Sequence, residues 1–70
     1  MSMTLEQYRE ALGLTHGQMS TESGVRRSVL ERVEKGEPIA LPLAEEICAF
    51  LSTQFKRKIA IGDIKDLKTC

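Results

Sequence analysis

Thr15-His16-Gly17-Gln18-Met19-Ser20-Thr21-Glu22-Ser23-Gly24-Val25-Arg26-Arg27-Ser28-Val29-Leu30-Glu31-Arg32-Val33-Glu34-Lys35-Gly36 holds two helical signals divided by one glycine. Thr15 with Gln18 three residues on is a capping-box pattern, in which each side chain satisfies a backbone N–H that the first turn leaves unpaired. The helix it opens is intrinsically weak. Gly17, Ser20, Thr21 and Ser23 all have lower helix propensity than Ala, and Gly17 alone lowers stability by about 1 kcal/mol. Its existence is therefore predicted to depend on neighbours that bury Met19. Gly24 predicts a tight turn, anchored by Val25. From Arg26 or Arg27 to Lys35, the residues Val29, Leu30 and Val33 recur at three- and four-residue spacing, which predicts an amphipathic helix with a basic leading end. Gly36 predicts its termination.

The flanks read as further short helices. Thr4 and Gln7 repeat the capping box, Met3 is placed to staple against Tyr8, and Leu5, Tyr8 and Leu12 follow at helical spacing up to Gly13. Beyond Gly36, Glu37 and Pro38 predict a loop with Ile39 and Leu41 pinned to the core. Pro42 suits the first turn of a fourth helix, where its missing N–H removes nothing. Leu43, Ile47, Leu51 and Phe55 form its four-spaced apolar stripe, widened by Ala44 and Phe50, so the longest helix is expected to floor the core. A link through Ile59 and Ile61 leads to a last predicted helical turn or two with Ile64 and Leu67. The expectation is an all-α, compact, single-domain bundle of about five short helices over residues 1–70.

Seventy residues support one modest core, since a chain of this size buries only about 60% of its unfolded surface. A deep catalytic pocket does not fit that volume. No nucleophile–base pair, metal-ligand cluster or phosphate loop is legible, and the expectation is no enzyme, no cofactor and no metal. Apolar runs fall far short of the roughly 20 residues of a membrane helix. Met1 to Glu6 lacks the basic flank and apolar stretch of a secretory signal. With only Cys48 and Cys70, neither a disulfide framework nor a zinc site is indicated, and a reducing cytoplasm is the expected compartment. Net charge is zero, but it alternates in blocks: −2 over residues 1–24, +2 over 25–35, −3 over 36–55 and +3 over 56–70. A protein with one basic face can still attract phosphate.

Two short helices joined by a glycine turn, the second amphipathic and basic at its start, is the layout of a helix-turn-helix. Residues 15–36 resemble the phage-repressor-like (Xre, or Cro-type) helix-turn-helix family. The points of likeness are the capped second helix, Met19, the Gly24-Val25 turn, Leu30 and Val33, and the acid–base–glycine ending Glu34-Lys35-Gly36. The resemblance extends over the whole chain, and it implies a lambda-repressor-like DNA-binding domain. It also implies that the helix of residues 26–35 lies in the major groove with its leading residues at base edges. Carried onto this sequence, the implied DNA-contacting residues are Arg26, Arg27, Ser28, Val29 and, one turn on, Arg32, with Thr15, His16 and Lys35 beside them. His16 stands where the family commonly has a glutamine that meets the DNA backbone. Ser23 replaces an apolar residue, and Arg26 replaces a Ser or Thr cap.

An electrostatic argument points the same way. A helix start carries positive partial charge, so Arg26 and Arg27 sit where cations are locally unfavourable. Forgoing a cap there lowers stability by about 0.5–2 kcal/mol. Local inconsistencies of this kind tend to mark functional sites, and an anion at the helix start would resolve this one. The plainer reading of the same arginines is a solvated helix face with Glu31 as partner. Lys56-Arg57-Lys58 reads more simply as a complement to the dipole of the fourth helix than as a phosphate clamp.

The expected function is a transcriptional regulator, a repressor, that binds duplex DNA as a homodimer. Its signal is expected to arrive through abundance, degradation or a protein partner. Ile59, Ile61, Ile64 and Leu67, more apolar than one small core needs, are the expected pairing surface. The alternative keeps the fold and makes it a protein-interaction module, an antitoxin or adaptor.

Overall fold

A computed structural model describes residues 3–70. Four α-helices form in the expected places: α1 Leu5–Ala11, α2 His16–Ser23, α3 Arg27–Glu34 and α4 Leu41–Phe55. Both capping boxes close. The Gln7 N–H donates to Thr4 Oγ1 at 3.2 Å and the Thr4 N–H to Gln7 Oε1 at 2.8 Å; Thr15 and Gln18 repeat the exchange at 3.2 and 2.9 Å. Gly24 ends α2 at φ 77°, a left-handed conformation that a Cβ disfavours. The turn to α3 is tight because its closing residue can adopt that geometry.

The core is assembled from the inward faces of all four helices. Leu5 and Tyr8 of α1, Met19 of α2, Leu30 and Val33 of α3, and Ile47 and Leu51 of α4 are all buried. Met19 is thus covered as the weakness of α2 required. Tyr8 packs edge-on against Phe55, ring centroids 5.4 Å apart at 72°, and its hydroxyl donates to the Asp63 carbonyl at 3.2 Å. Val29 is half-buried. Leu41 starts α4 and is 47% exposed, so only Ile39 of the expected pair is pinned to the core.

After α4 the chain departs from the all-helical expectation. Residues 61–63 make one 3-10 turn, residues 65–66 a further turn, and the chain then enters a short strand. Lys68–Thr69 (β2) pairs in parallel with Pro38–Ile39 (β1), Pro38 opposite Lys68 and Ile39 opposite Thr69. A bridge joins Met3 to Ile64, with the Lys65 N–H donating to Met3 O at 2.8 Å. The physical reason lies in Ile59, Ile61 and Ile64, which are β-branched and lose side-chain freedom in a helix, and in aspartates that serve backbone groups better outside one. Asp63 accepts the Ala60 N–H at 2.9 Å, and Asp66 accepts the Leu5 N–H at 2.9 Å. Asp66 therefore caps α1 from the far end of the chain.

This segment belongs to the chain's own core. Ile59, Ile64 and Leu67 are only 3, 2 and 6% exposed, and Ile61 packs partly buried against the same cluster. They are not a free pairing surface, which corrects that expectation. Ser52 fastens the segment to α4: its hydroxyl donates to Cys48 O at 2.7 Å and accepts the Ile59 N–H at 2.8 Å. Lys56, Arg57 and Lys58 are exposed and lie just past the end of α4.

Lys56 closes α4 in a left-handed conformation, φ 54°, which strains a residue bearing a Cβ by about 1–2 kcal/mol. Lys56→Gly is expected to stabilise the fold by about 0.5–1 kcal/mol net of the glycine's greater freedom when unfolded. The check is a raised urea midpoint with unchanged slope. Burial pushes the Cys48 thiol up, and the charges of Asp63 and Glu45 add to the shift, whereas Cys70 is exposed. Iodoacetamide at neutral pH is therefore expected to label Cys70 in the folded protein and Cys48 only after unfolding, as peptide mass mapping would show.

Candidate nucleic-acid interface

The leading end of α3 is exposed and uncapped. Arg26 holds the cap position at φ −58° and ψ 141°, and no side chain accepts a hydrogen bond from the first turn. Arg26, Arg27 and Ser28 are all exposed there, and the same first turn contains no acidic residue. Positive side chains and the positive end of the helix dipole share one place, and neither is neutralised by a cap.

The arginines of the chain differ in how far their own protein engages them. Arg9 is fully committed: Nε donates to Glu34 Oε2 at 3.1 Å, Nη2 to Glu34 Oε1 at 3.4 Å and Nη1 to the Leu14 carbonyl at 3.0 Å. Arg32, one turn along α3, donates from Nε to Glu37 Oε1 at 3.3 Å and from Nη2 to Pro38 O at 2.9 Å. Arg27 donates from Nε alone, to Glu31 Oε2 at 3.0 Å, and its side chain stays 66% exposed. Arg26 takes part in no ion pair among the described residues. The leading end of α3 is neither packed against the protein nor turned inward. An exposed pair such as Arg27–Glu31 contributes only about 0.3–0.5 kcal/mol, small beside what a contacting anion offers.

Thr15, His16 and Lys35 gather at the opposite end of α3. Thr15 caps α2, and His16 is its first residue. His16 Nε2 lies 2.8 Å from Glu34 Oε2, yet the approach is not aligned as a hydrogen bond, so a nitrogen shielded from solvent lacks a directed partner. The two side chains are in close contact, and Nε2 is occupied by Glu34. His16, Glu34 and Lys35 line an open depression together with Glu6 and Glu31. The residues expected at the interface thus form two groups: Arg26, Arg27 and Ser28 at the start of α3, and Thr15, His16 and Lys35 near its end. Arg32 stands between them, on the side of the α3–α4 connection.

Glu34 makes a structural contact rather than facing a base, and its partners are what spacing alone did not disclose. It accepts two hydrogen bonds from Arg9, each side chain only 12% exposed, and lies 2.8 Å from His16 Nε2. The signal was present at Arg9, which falls on the same face of α1 as Leu5 and Leu12. A charge on an inward face needs a partner. Glu37 was also missed as the partner of Arg32, because the pairing reaches across a helix end. Among the described residues, no three His, Cys, Asp or Glu side chains are placed to share a metal ion, and no helix is long and apolar enough to cross a membrane.

The family model described as a helix-turn-helix domain matches residues 1–54. The chain belongs to that helix-turn-helix family. The match covers α1 to most of α4 and so includes the turn at Gly24 and the whole of α3, in keeping with the resemblance carried by residues 15–36. The second helix of the motif is α3. Neither the curated proteins nor the solved structures include a significant match to the chain.

Removing the Glu34 carboxylate would strand Arg9 where water reaches it poorly. Glu34→Ala is expected to destabilise the helix-turn-helix by about 1.5–3 kcal/mol, the range for hydrogen bonds to charged groups. Urea denaturation reads the loss directly. An Arg9→Ala/Glu34→Ala double variant falling short of the sum of the singles would show that the two side chains act together.

Proposed function

We propose that this chain is a sequence-specific, duplex-DNA-binding transcriptional regulator, a repressor that acts by occupying an operator. The observation that carries the reading is the uncapped, exposed start of α3, bearing Arg26, Arg27 and Ser28. With α3 in the major groove, Arg27 and Ser28 face base edges, Val29 lies within reach of a thymine methyl, and Arg26 meets a phosphate. Thr15, His16, Arg32 and Lys35 flank the groove and supply backbone contacts. His16 does so only on leaving Glu34. The protein's zero net charge is compatible with this, because the field at the groove is set by the nearest charges once salt screens those more than about 10 Å away.

One α3 reads few base pairs, so two copies are proposed to bind as a homodimer, their helices in successive major grooves about 34 Å apart. An adaptor or antitoxin role on the same fold is favoured by the neutral net charge and by the glutamates that answer Arg27 and Arg32. Salt dependence separates the two readings.

Selection from a random duplex pool is expected to return a two-fold symmetric site whose affinity falls steeply with salt. Arg27→Ala should weaken binding to that site by about 1–3 kcal/mol and relax one base preference. Arg26→Ala should weaken all sequences alike and lower the salt slope by about 1. No retardation of any duplex at low salt would overturn the reading in favour of a protein partner.

A further inference from the structure

Glu31 stands on the DNA-facing helix of a protein proposed to bind a polyanion, which is the wrong charge for that place on simple electrostatic grounds. Its carboxylate Oε2 nevertheless accepts the Arg27 Nε–H at 3.0 Å, one helical turn away. Both side chains are substantially exposed, so the pair adds little to stability. What it does change is which part of Arg27 remains unpaired.

A guanidinium offers two edges to a base: Nε with Nη2, or Nη1 with Nη2. In Arg27 the Nε–H is taken by Glu31, so the side-on edge is closed and the end-on pair of Nη1 and Nη2 is open. Arg32 presents the contrast. Its Nε and Nη2 both donate, to Glu37 and to Pro38 O, so of its three nitrogens only Nη1 is left without a partner. Arg9 has all three nitrogens engaged. Arg27 is therefore an arginine on α3 held at one atom and open along a complete edge. Holding Nε also restrains the rotation of the long side chain before binding, which reduces the ordering that recognition would otherwise require.

We propose that Glu31 is a positioning and specificity-determining residue: it holds Arg27 by Nε so that Nη1 and Nη2 meet O6 and N7 of one guanine end-on. Arg32, held at Nε and Nη2, straps the α3–β1 connection and keeps Nη1 for a backbone contact. The proposal rests on the DNA-binding reading above and adds to it the identity of one base and the residue that aims its reader.

The test compares the parent, Arg27→Ala, Glu31→Ala and Glu31→Gln on three duplexes: the selected site, the same site with 7-deazaguanine at the position whose preference Arg27→Ala abolishes, and a scrambled sequence. Removing a negative charge near DNA by itself strengthens binding to every duplex. A positioning role predicts opposite signs. Glu31→Ala should weaken binding to the selected site roughly tenfold, the scale of one bidentate base contact, while leaving the scrambled duplex equal or tighter. Glu31→Gln, which keeps an oxygen acceptor, should restore much of the lost discrimination. The 7-deazaguanine duplex should weaken the parent and barely affect Glu31→Ala. Unchanged thermal melts would confirm that each variant is folded. If Glu31→Ala tightens all duplexes alike and keeps the guanine preference, or if Arg27→Ala abolishes no guanine preference, the proposal falls and the DNA-binding reading stands. If the parent binds no duplex, both fall.

Discussion

The Glu34 carboxylate is where three helices of this protein meet. It lies at the end of α3, receives the Arg9 guanidinium from α1 through two hydrogen bonds, and has His16, the first residue of α2, 2.8 Å away. Because Arg9 also holds the Leu14 carbonyl, the link before α2 is drawn into the same cluster. The Arg9 and Glu34 charges are largely withdrawn from water, so each depends on the other for its solvation. Anchoring the trailing end of α3 in this way leaves its leading end projecting with Arg26, Arg27 and Ser28 exposed. The geometry of the candidate interface thus follows from an ion pair at the other end of the same helix.

The distribution of arginine hydrogen bonds follows a gradient from that anchor outwards. Arg9, deepest, has all three nitrogens engaged; Arg32 has two; Arg27 has one; Arg26 has none among the ion pairs of the described residues. Formal charge gives no hint of this, since the four side chains are identical. What distinguishes them is how many donors their surroundings leave available, and only donors not already satisfied can recognise a base or a phosphate. The zero net charge of the chain conceals the same division. Its net sign alternates from segment to segment, and the acids on and beside α3 act on particular arginine atoms as well as on the field.

The segment after α4 shows how a small protein completes its core. Four short helices leave α1 uncovered at its start and Tyr8 with a hydroxyl to satisfy. Ile59, Ile64 and Leu67 fill the apolar space, Asp66 caps α1, and the Asp63 carbonyl receives the Tyr8 hydroxyl. Two residues of β2 against two of β1 then tie the chain's end to the α3–α4 connection. Surplus apolar residues in a small sequence are as easily a last layer of core as a surface for a partner, and burial decides between the two.

Local chemistry determined much of this protein without any tertiary information. The threonine–glutamine capping boxes place the starts of α1 and α2, Gly24 supplies the left-handed turn, and the apolar spacing of Leu30 and Val33 orients α3. Each works over three or four residues, within the reach of a backbone hydrogen bond or one helical turn. The uncapped arginine end of α3 is legible for the same reason. Tertiary structure alone decided that Arg9 and Glu34, 25 residues apart, share a salt bridge, that Asp66 caps a helix 61 residues away, and that Ile64 and Leu67 belong to an extended layer. Those outcomes depend on which surfaces meet once the helices pack, and loop closure over such distances leaves no periodic trace in the chain. Which atoms of each arginine stay open was settled the same way, by the carboxylates and carbonyls that the folded chain brings alongside it.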